Sequence, residues 1–263
     1  MFDFEKTLSP ILYEAGRIMT DANLCGDSVA EKGADPANLV TVYDVAVQKY
    51  LIDQLKARYP QASFIAEEKD NDPAVLQDAL CFIMDPIDGT TNFVHDYHHS
   101  AISLAAFSYG EAVFAAVLDT YQNELFTATR GGGARCNGKP IHTKARDLAH
   151  AVVAYGTAPY YKDLTQKTFD TVKAFFNVTS DVRRLGSAAL DLAYLAAGRN
   201  DIFFEFMLSP WDIAAGQLLI KEAGGKITDM DGNEIDFSRP SPVFAASAEL
   251  YDQAFSVLKK TVS

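Results

Sequence analysis

Apolar residues recur along this chain with two periods, and each change of period marks a change of element. Phe4, Leu8, Ile11, Leu12, Ala15 and Met19 fall on one face at helical spacing, which predicts an amphipathic opening helix over 4–20. A polar, glycine-containing loop from Cys25 to Asn38 separates it from a second helix. Val42, Val45, Leu51, Ile52 and Leu55 mark that helix, which ends near Tyr59-Pro60. Two short apolar runs, Ser63 to Ala66 and Cys81 to Met84, read as strands that end in Glu67-Glu68 and Asp85. A solvated acidic loop at Asp70–Pro73 lies between them. From Ser100 to Thr129 the pattern becomes that of successive strands, with turns at Tyr109-Gly110 and Tyr121–Asn123. Arg130 to Gly138 reads as a loop that closes on an Asn137-Gly138 hairpin turn. Strands and helices then alternate. A strand near Ala151–Tyr155 precedes a helix near Leu164–Phe176, and a second helix over Ser187–Ala197 is capped by Gly198. A strand at Asp201–Phe206 leads to a helix at Ile213–Ala223, stopped by Gly224-Gly225. The shift in pattern near 140–150 divides one compact unit into subdomains 1–143 and 144–263.

Composition narrows the class. The chain has 263 residues, 48% of them hydrophobic and 22% charged, which is ample for a large core. Its formal net charge of −12 argues against nucleic acid and anionic membrane as partners, because the long-range field repels phosphates. Bound metal ions can invert that sign locally, so phosphate chemistry stays open. Cys25, Cys81 and Cys136 are widely spaced, which suits neither a disulfide framework nor a zinc site and fits a reducing, cytoplasmic setting. The opening residues carry acids and no basic segment ahead of an apolar block, so no signal peptide is expected. No apolar run reaches transmembrane length.

Candidate chemistry lies where apolar segments give way to carboxylates. Ile65-Ala-Glu67-Glu68, Ile83-Met-Asp85-Pro-Ile-Asp88 and Pro210-Trp-Asp212 each do this. Taken singly they are bland: Asp212 reads as a first-turn helix acid, Glu67-Glu68 as a solvated strand end, and Asp85–Gly89 as a turn. Together they would converge at the carboxyl ends of strands, where ligands gather in α/β sheets, and would repel one another unless a cation neutralised them. Oxygen ligands without accompanying His or Cys indicate a hard ion such as Mg²⁺. Gly89-Thr90-Thr91 suits a helix start whose N–H groups can hold phosphate.

These motifs give the chain a specific resemblance. Asp85-Pro-Ile-Asp-Gly-Thr-Thr-Asn-Phe93, Trp211-Asp-Ile-Ala-Ala-Gly216, Phe64-Ile-Ala-Glu-Glu68, Leu39-Val-Thr-Val-Tyr-Asp44 and Arg184-Leu-Gly-Ser-Ala-Ala189 occur in order over nearly the whole chain. The sequence resembles the inositol monophosphatase family, within the fructose-1,6-bisphosphatase-like superfamily of lithium-sensitive, Mg²⁺-dependent phosphatases. The resemblance implies an α+β fold, a layered α-β-α-β-α sandwich, and a homodimer. It implies that Glu67, Asp85 and the Ile87 carbonyl hold one Mg²⁺, and that Asp85, Asp88 and Asp212 hold a second. A third, weaker ion would lie near Glu67. Asp44 and Thr90 would orient and deprotonate the attacking water, with Glu67 also on the catalytic side. Gly89 and Thr90 N–H groups would hold the phosphate. Glu205 would contact inositol hydroxyls, with Ser187, Ala188 and Asp212 on the substrate side.

The expected activity is therefore hydrolysis of a small sugar or polyol phosphate, inositol monophosphate foremost, by metal-activated water. The alternatives are fructose 1,6-bisphosphate, 3′-phosphoadenosine 5′-phosphate or NADP on the same centre, or a non-catalytic regulatory protein that keeps the fold. Two positions depart from the family pattern. Asn38 stands where Asp usually precedes Leu-Val-Thr, and Asp96-Tyr97-His98-His99 replaces a Gly-Phe-Pro-like turn at the site's rim or the dimer contact. His98 and His99 read as surface residues rather than ligands. Arg130-Gly-Gly-Gly-Ala reads as a loop, not a phosphate loop. Asp229 to Glu234 reads as an Asp-Gly hairpin, and Lys32 as a solvated lysine.

Overall fold

The computed structural model describes residues 3–22, 29–31, 39–144 and 146–262. Cys25, Lys32 and Asn38 lie outside the described residues, as does most of the loop assigned to 25–38. The elements, in chain order, are α1 (Phe4–Thr20), β1 (Val29–Glu31), β2 (Leu39–Thr41), α2 (Val42–Arg58), β3 (Ser63–Ala66), β4 (Cys81–Asp88), α3 (Thr90–Val94), β5 (Ala101–Ser108), β6 (Glu111–Asp119) and β7 (Glu124–Thr129). They continue with β8 (Gly133–Cys136), β9 (Lys139–Ile141), β10 (Val152–Tyr155), α4 (Thr165–Phe176), β11 (Asp181–Arg183), α5 (Ala188–Ala196), β12 (Ile202–Leu208), α6 (Pro210–Glu222), β13 (Gly225–Thr228), β14 (Ser241–Ser247) and α7 (Ala248–Val262).

Seven strands form one sheet in the order β3 to β9, parallel at β3–β4 and antiparallel elsewhere. Five form another in the order β11-β10-β12-β14-β13, parallel along β11-β10-β12 and antiparallel beyond. β1 and β2 pair by themselves.

Strand parity explains why two sheets need three helical layers. In β4 the odd residues Cys81 and Ile83 join a core shared with α5 and α6, while Phe82 and Met84 join a core shared with α1 and α2. In β12 the odd residue Phe203 faces the α5–α6 core, and Ile202, Phe204 and Phe206 face α4 and α7. Both sheets are thus apolar on both faces and are covered on both, which is the α-β-α-β-α sandwich expected from the sequence. Fully buried side chains such as Phe82 and Phe203 each contribute on the order of 2 kcal/mol of transfer free energy.

Several local expectations need correction. β4 does not stop at Met84 but runs to Asp88, with a register shift between Asp85 and Asp88 against β5. The predicted acidic turn is therefore an irregular strand end. In α2 the buried face is Asp44, Val47, Gln48, Leu51 and Leu55, whereas Val42 and Val45 are exposed. The helix turns its first-turn carboxylate inward in place of two valines. Within the 130–138 loop, Gly133–Cys136 is strand β8. Asp229 to Glu234 does make a tight turn, closed by the Asp229 N–H on the Asn233 carbonyl at 2.9 Å and the Gly232 N–H on the Asp229 carbonyl at 3.2 Å. It sits, however, inside a longer connection between β13 and β14, where the Asp229 carboxylate also accepts from the N–H groups of Asp231 and Asn233, both at 2.8 Å. No helix among the described residues is long and apolar enough to cross a membrane.

Candidate active site

Three carboxylates reach one place because each has an oxygen tied to a helix start or a strand irregularity. Asp212 is the third residue of α6. Ser209 caps that helix and Pro210 fixes its first turn, and the Ser209 N–H donates to Asp212 Oδ2 at 2.7 Å. Asp88 ends β4 and receives the Ala189 N–H at 2.9 Å and the Ser187 hydroxyl on Oδ2, so it caps α5 from a neighbouring strand. Asp85 sits on the odd face of β4, toward α6, and its Oδ1 accepts from the Ile87 N–H at 3.0 Å. One oxygen of each residue lies within 4.8 Å of the others.

Asp44 follows the same plan one layer away. In the first turn of α2 its Oδ2 accepts from the Thr41 N–H at 2.7 Å, and its Oδ1 accepts from the Thr90 hydroxyl at 3.3 Å. Thr90 Oγ1 also lies 3.1 Å from the Ile87 carbonyl. Asp44 is fully buried, so Thr90 is the group between it and the open site. Gly89, at φ +87°, supplies the left-handed residue that turns the chain from β4 into α3. A Cβ there would come within 3.0 Å of the Gly186 carbonyl oxygen.

Around these groups lies a cavity of about 370 Å³. Glu67, Asp85, Ile87, Asp88, Gly89, Thr90, Ser187, Ala188, Glu205 and Asp212, all singled out from the sequence, line it. Asp44 stands behind Thr90 rather than on the wall. His98 and His99 are not on it. His98 is exposed, pairs with Asp96 at 2.8 Å and stacks on Tyr121 with ring centres 4.6 Å apart. His99, expected at the surface, is half-buried with its ring edge toward Tyr194. The wall also carries Asp191, which sequence reasoning missed. It occupies an ordinary helical position in Asp191-Leu-Ala-Tyr-Leu, with only its apolar neighbours to suggest that it is buried.

The electrostatics are severe. Among the described residues the lining holds six carboxyl groups (Glu67, Asp85, Asp88, Asp191, Glu205 and Asp212) against one cation, Arg184. Burial, then Glu67, Asp88 and Asp212, push the Asp85 carboxyl well above the usual range, and burial with Asp88 does the same to Asp212. Burial lifts Asp88 to about 6 despite its hydrogen bonds, and Glu205 to about 7. Glu67 is in hydrogen-bonding contact with Asp85. Such a pair is stable only with a proton or a cation between its oxygens. Acceptor-only oxygens without nitrogen or sulfur fit Mg²⁺. A phosphate could not enter this wall without cations to invert its sign.

Comparison with known proteins agrees. The sequence profile of the inositol monophosphatase family, a family of Mg²⁺-dependent phosphatases, matches residues 6–262. Nus factor SuhB of Escherichia coli is 39% identical over 255 residues, covering 94% of this chain and 95% of that protein. An IMPase from Thermotoga maritima superposes with a TM-score of 0.89 at 31% identity, covering 99% of this chain and 98% of that one. A structure described as an IMPase/NADP phosphatase complexed with Mg²⁺ and phosphate gives a TM-score of 0.85 at 26% identity, covering 97% of this chain and 94% of that one. The exclusion of nucleic acid drawn from net charge finds no support here, since the curated relative carries the name Nus factor. With its profile matched almost end to end and its motifs gathered on one cavity, the chain belongs to the inositol monophosphatase family.

Proposed function

We propose that this chain hydrolyses a phosphate monoester of a small polyol, inositol monophosphate foremost, with Mg²⁺ held by Glu67, Asp85, the Ile87 carbonyl, Asp88 and Asp212. The observation that carries the reading is the convergence of Asp85, Asp88 and Asp212 oxygens within 4.8 Å, on a wall that has six carboxyls and one cation among the described residues. Mg²⁺ bound there would lower the pKa of a water molecule and neutralise the phosphate and the departing alkoxide.

The chain's own residues supply the rest. Thr90 receives a proton from the attacking water as its hydroxyl proton moves toward Asp44, whose other oxygen is fixed by the α2 cap. Glu67, at the end of β3, holds the same side. The opening turn of α3 presents the Gly89 and Thr90 N–H groups to the phosphate. Ser187, Ala188, Glu205 and Asp212 border the alcohol. Two or three ions, sensitivity to lithium and a homodimer belong to this same reading on the family likeness, and a cytoplasmic location and the division at 143/144 on the cysteine usage and the shift of pattern near 140–150.

A panel of inositol 1-phosphate, fructose 1,6-bisphosphate, 3′-phosphoadenosine 5′-phosphate and NADP, assayed for phosphate release with Mg²⁺, tests it. Fastest turnover of the inositol ester supports the reading, and faster turnover of the fructose ester or of a nucleotide would move the substrate to that class. The relatives' name Nus factor favours a second, transcription-related role as a binding protein. A binding role of that kind would survive loss of the metal cluster, whereas hydrolysis would not.

A further inference from the structure

Glu67 stands one residue past the end of β3, the outermost strand of the seven-stranded sheet, which pairs with β4 as far as Ala66 opposite Met84. Among the described residues no strand covers the other edge of β3, and an open edge leaves backbone N–H and C=O groups without sheet partners. Side chains take their place. The Phe64 carbonyl accepts from Lys69 Nζ at 3.0 Å. Asn71 grips Ala66 at both groups: its side-chain carbonyl accepts the Ala66 N–H at 2.9 Å, and its amide donates to the Ala66 carbonyl at 2.8 Å. Gln48 does the same to Glu68, accepting its N–H and donating to its carbonyl, both at 2.9 Å. Residues 64, 66 and 68 alternate, as the groups on one edge of a strand do. Two carboxamides thus act as a surrogate strand on either side of Glu67.

Glu67 needs such a hold more than an ordinary strand end does. Its carboxyl is in hydrogen-bonding contact with Asp85, inside a cluster that Asp88 and Asp212 complete. Like charges there push it outward, and the end of an edge strand yields to such a push unless the backbone on both sides is fixed. Protection of the edge accounts for Lys69, since a lysine suffices for that. It does not account for Gln48, which reaches Glu68 from a different element, 20 residues away in sequence. Gln48 is 7% exposed and lies one turn after Asp44 on the inner face of α2, beside Val47, Leu51 and Leu55 of the apolar core. A carboxamide in that setting is costly unless both its groups are bonded, as they are. One helix face therefore holds both sides of the site, Asp44 at Thr90 and Gln48 at the Glu67 end of β3.

We propose that Gln48 and Asn71 are positioning residues that fix the backbone on both sides of Glu67 and so hold its carboxylate in the cluster that takes Mg²⁺. The assignment rests on the phosphatase reading through Glu67 as a ligand, and it concerns affinity for the ion rather than the chemical step. Neither side chain lines the cavity.

Isothermal titration calorimetry of Mg²⁺ into EDTA-treated, dialysed protein tests it without turnover. Q48A and N71A should each weaken Mg²⁺ binding about tenfold, the usual scale for groups that orient a ligand. N71D, which keeps an acceptor for the Ala66 N–H, should fall between wild type and N71A. In an E67A background the ion is left with Asp85, Asp88 and Asp212. There Q48A and N71A should change affinity by less than about twofold, because the group they orient is gone. In phosphate release from inositol 1-phosphate, the half-saturating Mg²⁺ concentration should rise by the same factor of about ten, while kcat at saturating Mg²⁺ falls by less than about threefold. Unchanged affinity in Q48A or in N71A, or an equal loss in the E67A background, would overturn the assignment and leave both amides as fastenings of a sheet edge. Should Q48A fail to fold, N71A and N71D decide by the same criteria. Wild type that binds Mg²⁺ but releases no phosphate brings down the phosphatase reading, and the calorimetric comparison still decides this assignment. Wild type that binds no Mg²⁺ brings down both.

Discussion

Asp88→Asn separates the fold from the chemistry, because Asp88 both caps α5 and belongs to the carboxylate cluster. Oδ2 caps α5 through Ala189 and Ser187, and an asparagine carbonyl can keep that cap. Asp88 also brings an oxygen within 4.8 Å of oxygens of Asp85 and Asp212, and asparagine there lacks the negative charge that a cation needs. The carboxyl of Asp88 moves from an ordinary 3.8 to about 6. At about 1.4 kcal/mol per pH decade, ionising it in the metal-free fold costs about 3 kcal/mol more than in the unfolded chain. That cost grows between pH 3.8 and about 6 and is complete above it. The neutral variant also relieves Asp212, whose strongest charge repulsion comes from Asp88. In EDTA at pH 8, Asp88→Asn should therefore melt higher than wild type, by roughly 6 °C or more for a chain of this size. The gain should be about halved at pH 5. With Mg²⁺ the order reverses: wild type gains stability by binding, the variant does not, and phosphate release falls by a factor of about 10³ or more. Differential scanning calorimetry in EDTA and in Mg²⁺, beside a phosphate assay, reads both effects. A variant that melts lower in EDTA, or works within a few-fold of wild type, would refute the reasoning.

Two further outcomes follow from the geometry. Glu205 rises from 4.5 to about 7, chiefly by burial, so the folded state holds its proton more tightly and the stability this confers is lost as pH rises from 4.5 through about 7. Metal-free protein should accordingly melt lower at pH 8 than at pH 5, and Glu205→Gln should flatten the slope between; a melting temperature that climbs with pH in EDTA would contradict this. Asn92 bridges the β4–α3 turn to the substrate-side loop, its amide donating to the carbonyls of His99 at 2.7 Å and Leu185 at 2.8 Å. Removing it in Asn92→Ala strands two carbonyls and should cost about 2 kcal/mol in chemical denaturation, with an unchanged midpoint counting against the bridge.

Much of this architecture was legible because its signals are local. The 3.6-residue spacing of Phe4 to Met19 and the turn pairs Tyr109-Gly110 and Asn137-Gly138 needed no tertiary information. The site was legible because the same local logic places carboxylates at helix starts. Asp44 and Asp212 are first-turn acids in capping boxes, as the bland reading had Asp212, and they also serve the cavity. What the sequence hid is relational. Asp88 caps a helix a hundred residues further on, which no window of sequence can show. Asp85–Asp88 looked like a turn because Pro, Asp and Gly favour turns, but pairing with β5 draws them into the strand. Val42 and Val45 misled because burial of Asp44, not apolar content, sets the inner face of α2. Asp191 carried no local mark at all.

The central claim is that this ring of oxygens acts by holding Mg²⁺ against a phosphate ester. Its most direct test is phosphate release from inositol 1-phosphate by the purified chain as Mg²⁺ is titrated from an EDTA-treated start. The account predicts no release without the ion and a saturable rise with it. Release that proceeds equally well in EDTA, or that never appears at any Mg²⁺ concentration, would contradict it.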